Sequence, residues 1–209
     1  LKNQFLRFME MRIVLLVLFN ISLYASAQSW QQLADYPGGA RDDGAQFTIN
    51  GIHYVGTGRA PDFSCKGDFH AFHPSSSSWT AIAPLPQWQE RQYTSAFSYD
   101  GNGFIVGGEN CLGNYFSTFL KYSPLTNSWT SMPDLPAAGR AGSQHFVIGS
   151  DLYLIGGRNN SGILNEVWCF HFNTNIWEQL NDLPFSGCWR GLAAAHNNLG
   201  YLFGGRTND

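Results

Sequence analysis

Residues 45–58 read AQFTINGIHYVGTG, residues 95–108 read SAFSYDGNGFIVGG, and residues 144–157 read QHFVIGSDLYLIGG. Each stretch holds two short apolar runs around a turn. Each closes on a glycine doublet, or on Gly56-Thr57-Gly58 in the first case. Asn50-Gly51 and Asp100-Gly101 are hairpin signals, because Asn, Asp and Gly tolerate the positive φ of a two-residue turn. The flanking aromatic and β-branched residues favour extended backbone. The reading predicts hairpins with strands at 45–49 and 52–56, 95–99 and 103–107, and 144–148 and 152–156.

Around these hairpins a larger frame repeats. Trp30, Trp79, Trp129 and Trp177 are spaced 49, 50 and 48 residues apart, and each is followed seven residues later by a proline. A third strand ends near Phe72, Tyr122 and Phe170, each seven residues before a tryptophan, and a fourth strand begins near that tryptophan. Four short antiparallel strands per period, with no helical periodicity, describe a propeller blade. The units run near 30–78, 79–128, 129–176 and 177–209. Residues 30–33 read as a lone fourth-type strand, three full units follow, and then two strands of another. The expectation is an all-β, incomplete propeller of about 3.5 four-stranded antiparallel blades. It reads as the N-terminal part of a longer product, with a four-blade ring carrying a gapped last blade as the alternative.

Composition agrees. Of 209 residues 44% are hydrophobic, 15% aromatic and only 13% charged, with 23 Gly. That excludes a disordered chain and a coiled coil. Met11-Arg12, the apolar run 13–19 and Ala25-Ser26-Ala27 form an export leader over 1–27. The mature part, 28–209, carries nine cationic and fourteen acidic residues, a net charge of about −5. This argues against nucleic acid as a partner. No second apolar run is long enough to span a membrane. The expected location is secreted, periplasmic or cell-surface.

The glycine pair after a hairpin, the tryptophan about 20 residues on and the period near 50 resemble kelch repeats across essentially all of the mature chain. That resemblance implies a β-propeller and leaves function open, because propellers host unrelated activities. Some kelch proteins bind acidic peptides with these loops, and one exported kelch enzyme epimerises sialic acid. The implied function is a ligand- or protein-binding module. The alternative is a carbohydrate-active enzyme such as an N-acetylneuraminate epimerase.

All seven arginines of the mature part sit at fixed places in the repeat. Arg41, Arg91, Arg140 and Arg190 open the first strand of each unit, while Arg59, Arg158 and Arg206 directly follow the glycine pairs. Glu109 fills that second slot in the second unit. Alternating strand direction puts both loop sets at one end of a blade. The reading is an arginine-lined, anion-recognising mouth for an acidic peptide or a carboxylated sugar, since guanidinium matches carboxylate bidentately. The alternative for each arginine is a structural bond to loop carbonyls or to Asp42, Asp43, Glu90 and Glu109. Trp88 and Trp189 stand in the loops before Arg91 and Arg190, either to stack on a sugar or to pack the rim. Glu109 with His145 or His196 is the best acid/base pair available. No cofactor motif and no convincing metal set emerges, since His70 and His73 do not alternate onto one strand face. Cys65 and Cys111, both just past a glycine pair, are either a disulfide or two separate thiols.

Overall fold

The structure is a computed structural model and describes residues 30–207. It divides into the units Leu1–Leu33 and Ala34–Asp209. Of the first unit only residues 30–33 are described, and they are exposed and form no strand. The segment 30–33, read as a lone fourth-type strand, pairs with no strand among the described residues and takes no strand form by itself. The leader assigned to 1–27 lies outside the described residues.

The second unit is built of β-sheets. Blade 1 comprises β1 (Ala45–Ile49), β2 (Ile52–Gly56), β3 (Phe69–His73) and β4 (Ser78–Ile82). Blade 2 comprises β5 (Ser95–Tyr99), β6 (Asn102–Val106), β7 (Phe119–Ser123) and β8 (Ser128–Met132). Blade 3 begins with β9 (Gln144–Ile148) and β10 (Asp151–Ile155). A small hairpin follows, β11 (Arg158–Asn159) with β12 (Gly162–Ile163), and then β13 (Val167–His171) and β14 (Ile176–Gln179) complete the blade. A two-stranded sheet ends the described chain, β15 (Leu192–His196) with β16 (Leu199–Phe203). Each blade is an antiparallel meander in sequence order. The first strands lie next to one another in the order β1, β5, β9, β15.

The hairpin turns take the backbone their residues permit: Asn50 and Gly51 have φ of 49° and 78°, and Asp100 and Gly101 have 45° and 68°. Alternation then aims aromatic pairs to one face. The register partners Phe47 and Tyr54, Phe97 and Phe104, and Phe146 and Tyr153 stack with centroids 5.1, 5.3 and 5.1 Å apart. Each such pair contributes about 0.5–1.5 kcal/mol beyond its area burial. Two buried clusters result, one joining blades 1 and 2 and the other joining blades 2 and 3.

The marker tryptophans are equivalent. Trp79, Trp129 and Trp177 pack on Phe72, Tyr122 and Phe170, the residues seven positions earlier. Their indole N–H groups donate to the carbonyls of Ala34, Ala83 and Pro133 at 3.0, 2.9 and 2.9 Å. The Trp129 and Trp177 rings bury apolar area against the preceding blade, while the one donor of each of the three ties the outer strand to the connection preceding its own blade. The period near 50 is thus a packing period.

The glycine pairs stitch neighbouring blades. The second glycine's N–H donates to a carbonyl of the next blade: Gly58 to Arg91, Gly108 to Arg140 and Gly157 to Cys188, at 2.7–2.8 Å. Gly107 and Gly108 both have positive φ, and an added Cβ would lie 2.6 Å from the Arg140 carbonyl oxygen or 2.9 Å from that of Gln92. A side chain at either place meets backbone, so the pair is required by the close approach. Thr57 takes the first-glycine position at φ 56°. Its buried Oγ1 accepts from the Ala45 N–H at 2.9 Å, a local tie that glycine lacks.

Candidate functional site

Three of the four strand-opening arginines, Arg41, Arg91 and Arg140, turn into their own blades. Arg91 and Arg140 are almost wholly buried, and the Arg41 side chain is 8% exposed. Each guanidinium donates to the carbonyl of its own blade's first glycine position: Arg41 to Thr57, Arg91 to Gly107 and Arg140 to Gly156, at 3.1, 2.8 and 3.5 Å. Each also reaches the connection entering the third strand, at Asp68 (2.7 Å), Thr118 Oγ1 (3.0 Å) and Glu166 (2.6 Å) respectively. Arg91 further donates to Gln89 and lies over the Phe116 ring at 4.1 Å. Of the two readings open for these three, a ligand contact and a structural bond within the loops, their contacts are those of internal clamps. The reason is that a tight glycine turn leaves a buried carbonyl in need of a donor, and a guanidinium supplies it while also reaching the connection into the third strand.

Burial pulls the Arg91 pKa down to about 9, against the attraction of Asp134 and Glu90, so it stays charged at neutral pH. Burial alone pushes Glu166 upward. The hydrogen bonds from Trp168 and Arg140 outweigh it and hold that carboxyl below its ordinary value.

Arg190 does not belong to this series. The fourth occupant of the slot is Cys188, whose Sγ donates to the Gly204 carbonyl at 3.3 Å. The spacing of 17 residues to the second glycine holds for Arg41, Arg91 and Arg140, and it points from Gly205 back to Cys188, not Arg190. Arg190 instead shares its slot with Asp43, Tyr93 and Gly142. All four have φ between 53° and 65°. Their backbones form a chain from blade to blade: Tyr93 N–H donates to Asp43, Gly142 to Tyr93 and Arg190 to Gly142, at 3.1, 2.8 and 2.9 Å. Position rather than residue type defines this inner set, so the eye following arginines passes over it.

Around this inner chain lies a compact group of charged and aromatic side chains. Arg158 donates to both Glu109 carboxylate oxygens at 3.2 Å. Its guanidinium lies 4.2 Å from the Trp189 ring centroid. Arg190 lies 4.8 Å from the Tyr93 ring and 5.4 Å from Trp189, and donates to Asp43 at 3.1 Å. Tyr93 hydrogen-bonds Asp43. Burial raises the phenol's pKa, and the bond to the Asp43 carboxylate raises it further. Glu109 also accepts from Gln92 at 3.0 Å, and the Trp189 Nε1 and Arg158 Nε are buried without a hydrogen-bond partner.

Trp189, expected as a stacking platform, is only 9% exposed, because the two guanidiniums cover it. It positions cations instead. Trp88 is 76% exposed. Arg59 lies over the Phe63 ring at 4.8 Å. Arg206 is exposed and has no ion pair among the described residues. The mouth is therefore a mixed array. Glu109 and Asp43 partly neutralise Arg158 and Arg190, while Arg59 and Arg206 have no ion pair among the described residues.

Neither histidine expected to pair with Glu109 does so. His145 Nε2 donates to the Ala96 carbonyl at 3.0 Å, the ring packs on Phe97, and burial pulls its pKa down to about 4. His196 ends β15 at its hairpin turn, about 17 Å along the strand from the mouth by strand rise. Cys65 and Cys111 form a disulfide between the post-glycine loops of blades 1 and 2, with Cα atoms 5.4 Å apart.

The sequence matches the KLHDC2/KLHL20/DRC7 Kelch-repeats domain over residues 49–209. The chain belongs to the kelch-repeat family. Among curated proteins, kelch relatives include an N-acetylneuraminate epimerase of Shigella sonnei (strain Ss046). It is 36% identical over 116 residues, covering 54% of this chain and 30% of that protein. An N-acetylneuraminate epimerase of Haemophilus influenzae (strain PittEE) is 24% identical over 235 residues, covering 91% of this chain and 62% of that protein. The solved structure of YjhT shares the kelch architecture, with a TM-score of 0.72 at 22% identity over 84% of this chain and 62% of that one. The chain thus spans less than two thirds of the relatives it matches. No helix among the described residues is long and apolar enough to cross a membrane.

Proposed function

We propose that this kelch chain recognises a carboxylated ligand at the mouth formed by Arg158, Arg190, Tyr93 and Trp189, with a carboxylated sugar as the favoured ligand. The observation that carries the reading is the convergence of two guanidiniums on one indole. A cation held on an aromatic face is already ordered and loses little side-chain entropy on binding a planar anion. Arg206, with no ion pair among the described residues, adds charge from the neighbouring blade, and a ligand carboxylate competes with Glu109 for Arg158 and with Asp43 for Arg190. A neutral sugar offers nothing to displace that carboxylate.

The likeness to N-acetylneuraminate epimerases supports N-acetylneuraminate as the first probe. Titration of the protein by calorimetry or ligand-observed NMR is expected to show saturable binding of N-acetylneuraminate. Arg158→Ala is expected to weaken it at least tenfold, as for the loss of one charge-assisted contact. Equal binding of the methyl ester, which lacks the charge, would remove the basis of the proposal. An acidic peptide tested alongside distinguishes a protein partner from a sugar.

The second reading is catalysis on that sugar. It draws on the relatives and on the two carboxylates, Asp43 through Tyr93 and Glu109, which stand where protons can be exchanged with a ligand. Proton NMR of the sugar's epimers, followed with and without protein, separates binding from turnover. We further propose that residues 1–27 direct export. Intact-mass measurement of the expressed protein should show an N-terminus at Gln28.

A further inference from the structure

A second cluster of reactive side chains lies in blade 3, apart from the mouth. Asp151 and His171 are register partners across β10 and β13, and Cys169 and Glu178 are partners across β13 and β14. Cys169 and His171 are two residues apart on one strand, so all four side chains leave the same face of the sheet. His171 Nδ1 is 2.8 Å from Asp151 Oδ1 and 3.9 Å from Cys169 Sγ. One ligand atom from each of Asp151, Cys169 and His171 falls within 4.8 Å of the others. Four-coordinate zinc with bonds of about 2.0–2.3 Å places its donors roughly 3.3–3.8 Å apart, so small side-chain rotations suffice.

Two further observations point to a cation. The first is the outer partner. His171 Nε2 is 3.1 Å from Glu178 Oε2, and donation to that carboxylate leaves the Nδ1 lone pair facing Asp151 and Cys169. A carboxylate behind an imidazole is the arrangement that orients a ligating histidine and raises its basicity. The second is the repeat itself. At the same four slots blade 1 carries Ile52, Ala71, His73 and Thr80, and blade 2 carries Asn102, Lys121, Ser123 and Thr130. The blade fold is therefore indifferent to the chemistry of these slots, yet blade 3 fills all four with metal-binding types. Among the described residues neither Asp151 nor Glu178 has a lysine or arginine within ion-pair distance.

We propose that Asp151, Cys169 and His171 form a three-ligand site for a zinc-type divalent transition metal, with Glu178 as the orienting carboxylate. Thiolate with imidazole selects borderline-soft ions over magnesium or calcium. Binding replaces the Cys169 S–H bond by a sulfur–metal bond and releases that proton to solvent. The fourth position is left to water.

The test is titration of the full chain, with its Cys65–Cys111 disulfide intact, with Co2+, followed by absorbance. One equivalent is expected to produce a near-ultraviolet thiolate-to-cobalt band together with visible ligand-field bands, and Zn2+ should abolish both. Cys188→Ser should keep the band and Cys169→Ser should lose it. Glu178→Gln should weaken affinity about 10–100-fold. Asp151→Asn, on a partly exposed side chain, provides a second loss-of-binding variant if Cys169→Ser fails to fold. Absence of a saturable band in the wild-type chain overturns the proposal, and so does a band that survives Cys169→Ser. In either case His171 serves only as a hydrogen-bonded bridge between Asp151 and Glu178.

Discussion

Arg140 and Arg206 occupy two of the seven fixed arginine slots, yet their surroundings oppose one another. Arg140 is 1% exposed and held by Glu166 and the Gly156 carbonyl, whereas Arg206 is exposed. Replacing Arg140 by alanine removes one of the two side-chain donors to the Gly156 carbonyl and to the partly buried Glu166 carboxylate, leaving only Ser143 and Trp168. The expected loss is about 2–4 kcal/mol in chemical denaturation. Arg206→Ala should change stability by less than about 0.5 kcal/mol. Equal effects of the two would mean that burial does not separate clamp from mouth. The sequence displayed both sets as periodic arginines, and periodicity carries no information on which way a side chain turns. The two-residue offset of Arg190 did carry a signal, since the 17-residue spacing selects Cys188 in its place.

At the scale of the element, blades pack through ring against glycine. A Cβ on Gly103 would lie 2.2 Å from Phe47 Cε2, inside the cluster joining blades 1 and 2. Gly103→Ala is expected to destabilise by about 1–3 kcal/mol through overpacking, read as a lowered midpoint of thermal unfolding. The Cys65–Cys111 disulfide spans a sequence separation of 46. Loop-closure entropy assigns it about 4 kcal/mol, so the reduced chain should unfold at markedly lower denaturant concentration. Unchanged unfolding after reduction would leave the bridge with no stabilising role. Strand positions were legible from the hairpin turns because period-two alternation and positive-φ residues act locally. The segment 30–33 shows the complementary rule: a strand exists only through its neighbour, and none pairs with it among the described residues.

For the whole molecule, acid stability follows from a buried imidazole. The folded state holds His145 neutral, with its pKa down at about 4, while the unfolded chain titrates near the ordinary 6.5. Between these values the unfolded chain binds a proton that the folded chain refuses. Stability is therefore full above pH 6.5, falls as pH drops toward 4, and receives no further change from this group below that. The contribution is on the order of 1–3 kcal/mol. Thermal midpoints measured at pH 7 and pH 4.5 should differ less in His145→Gln than in the wild type. A difference of the same size would place the acid lability elsewhere. His145 had looked like half of an acid/base pair with Glu109; its bond to Ala96 and its packing on Phe97 make it a core residue.

The kelch architecture was determined by sequence alone, because every signal it needs is short-ranged and repeats. Turn residues set φ, alternation sets the buried face, and a tryptophan every 50 residues or so sets the packing period. The roles of the arginines, the company of Trp189 and the gathering of Asp151, Cys169, His171 and Glu178 were decided only in three dimensions. Those depend on which side chains meet across register partners and neighbouring blades, up to 147 residues apart for Asp43 and Arg190. Burial and charge pairing at such contacts are properties of the closed packing, and no local pattern in the chain encodes them.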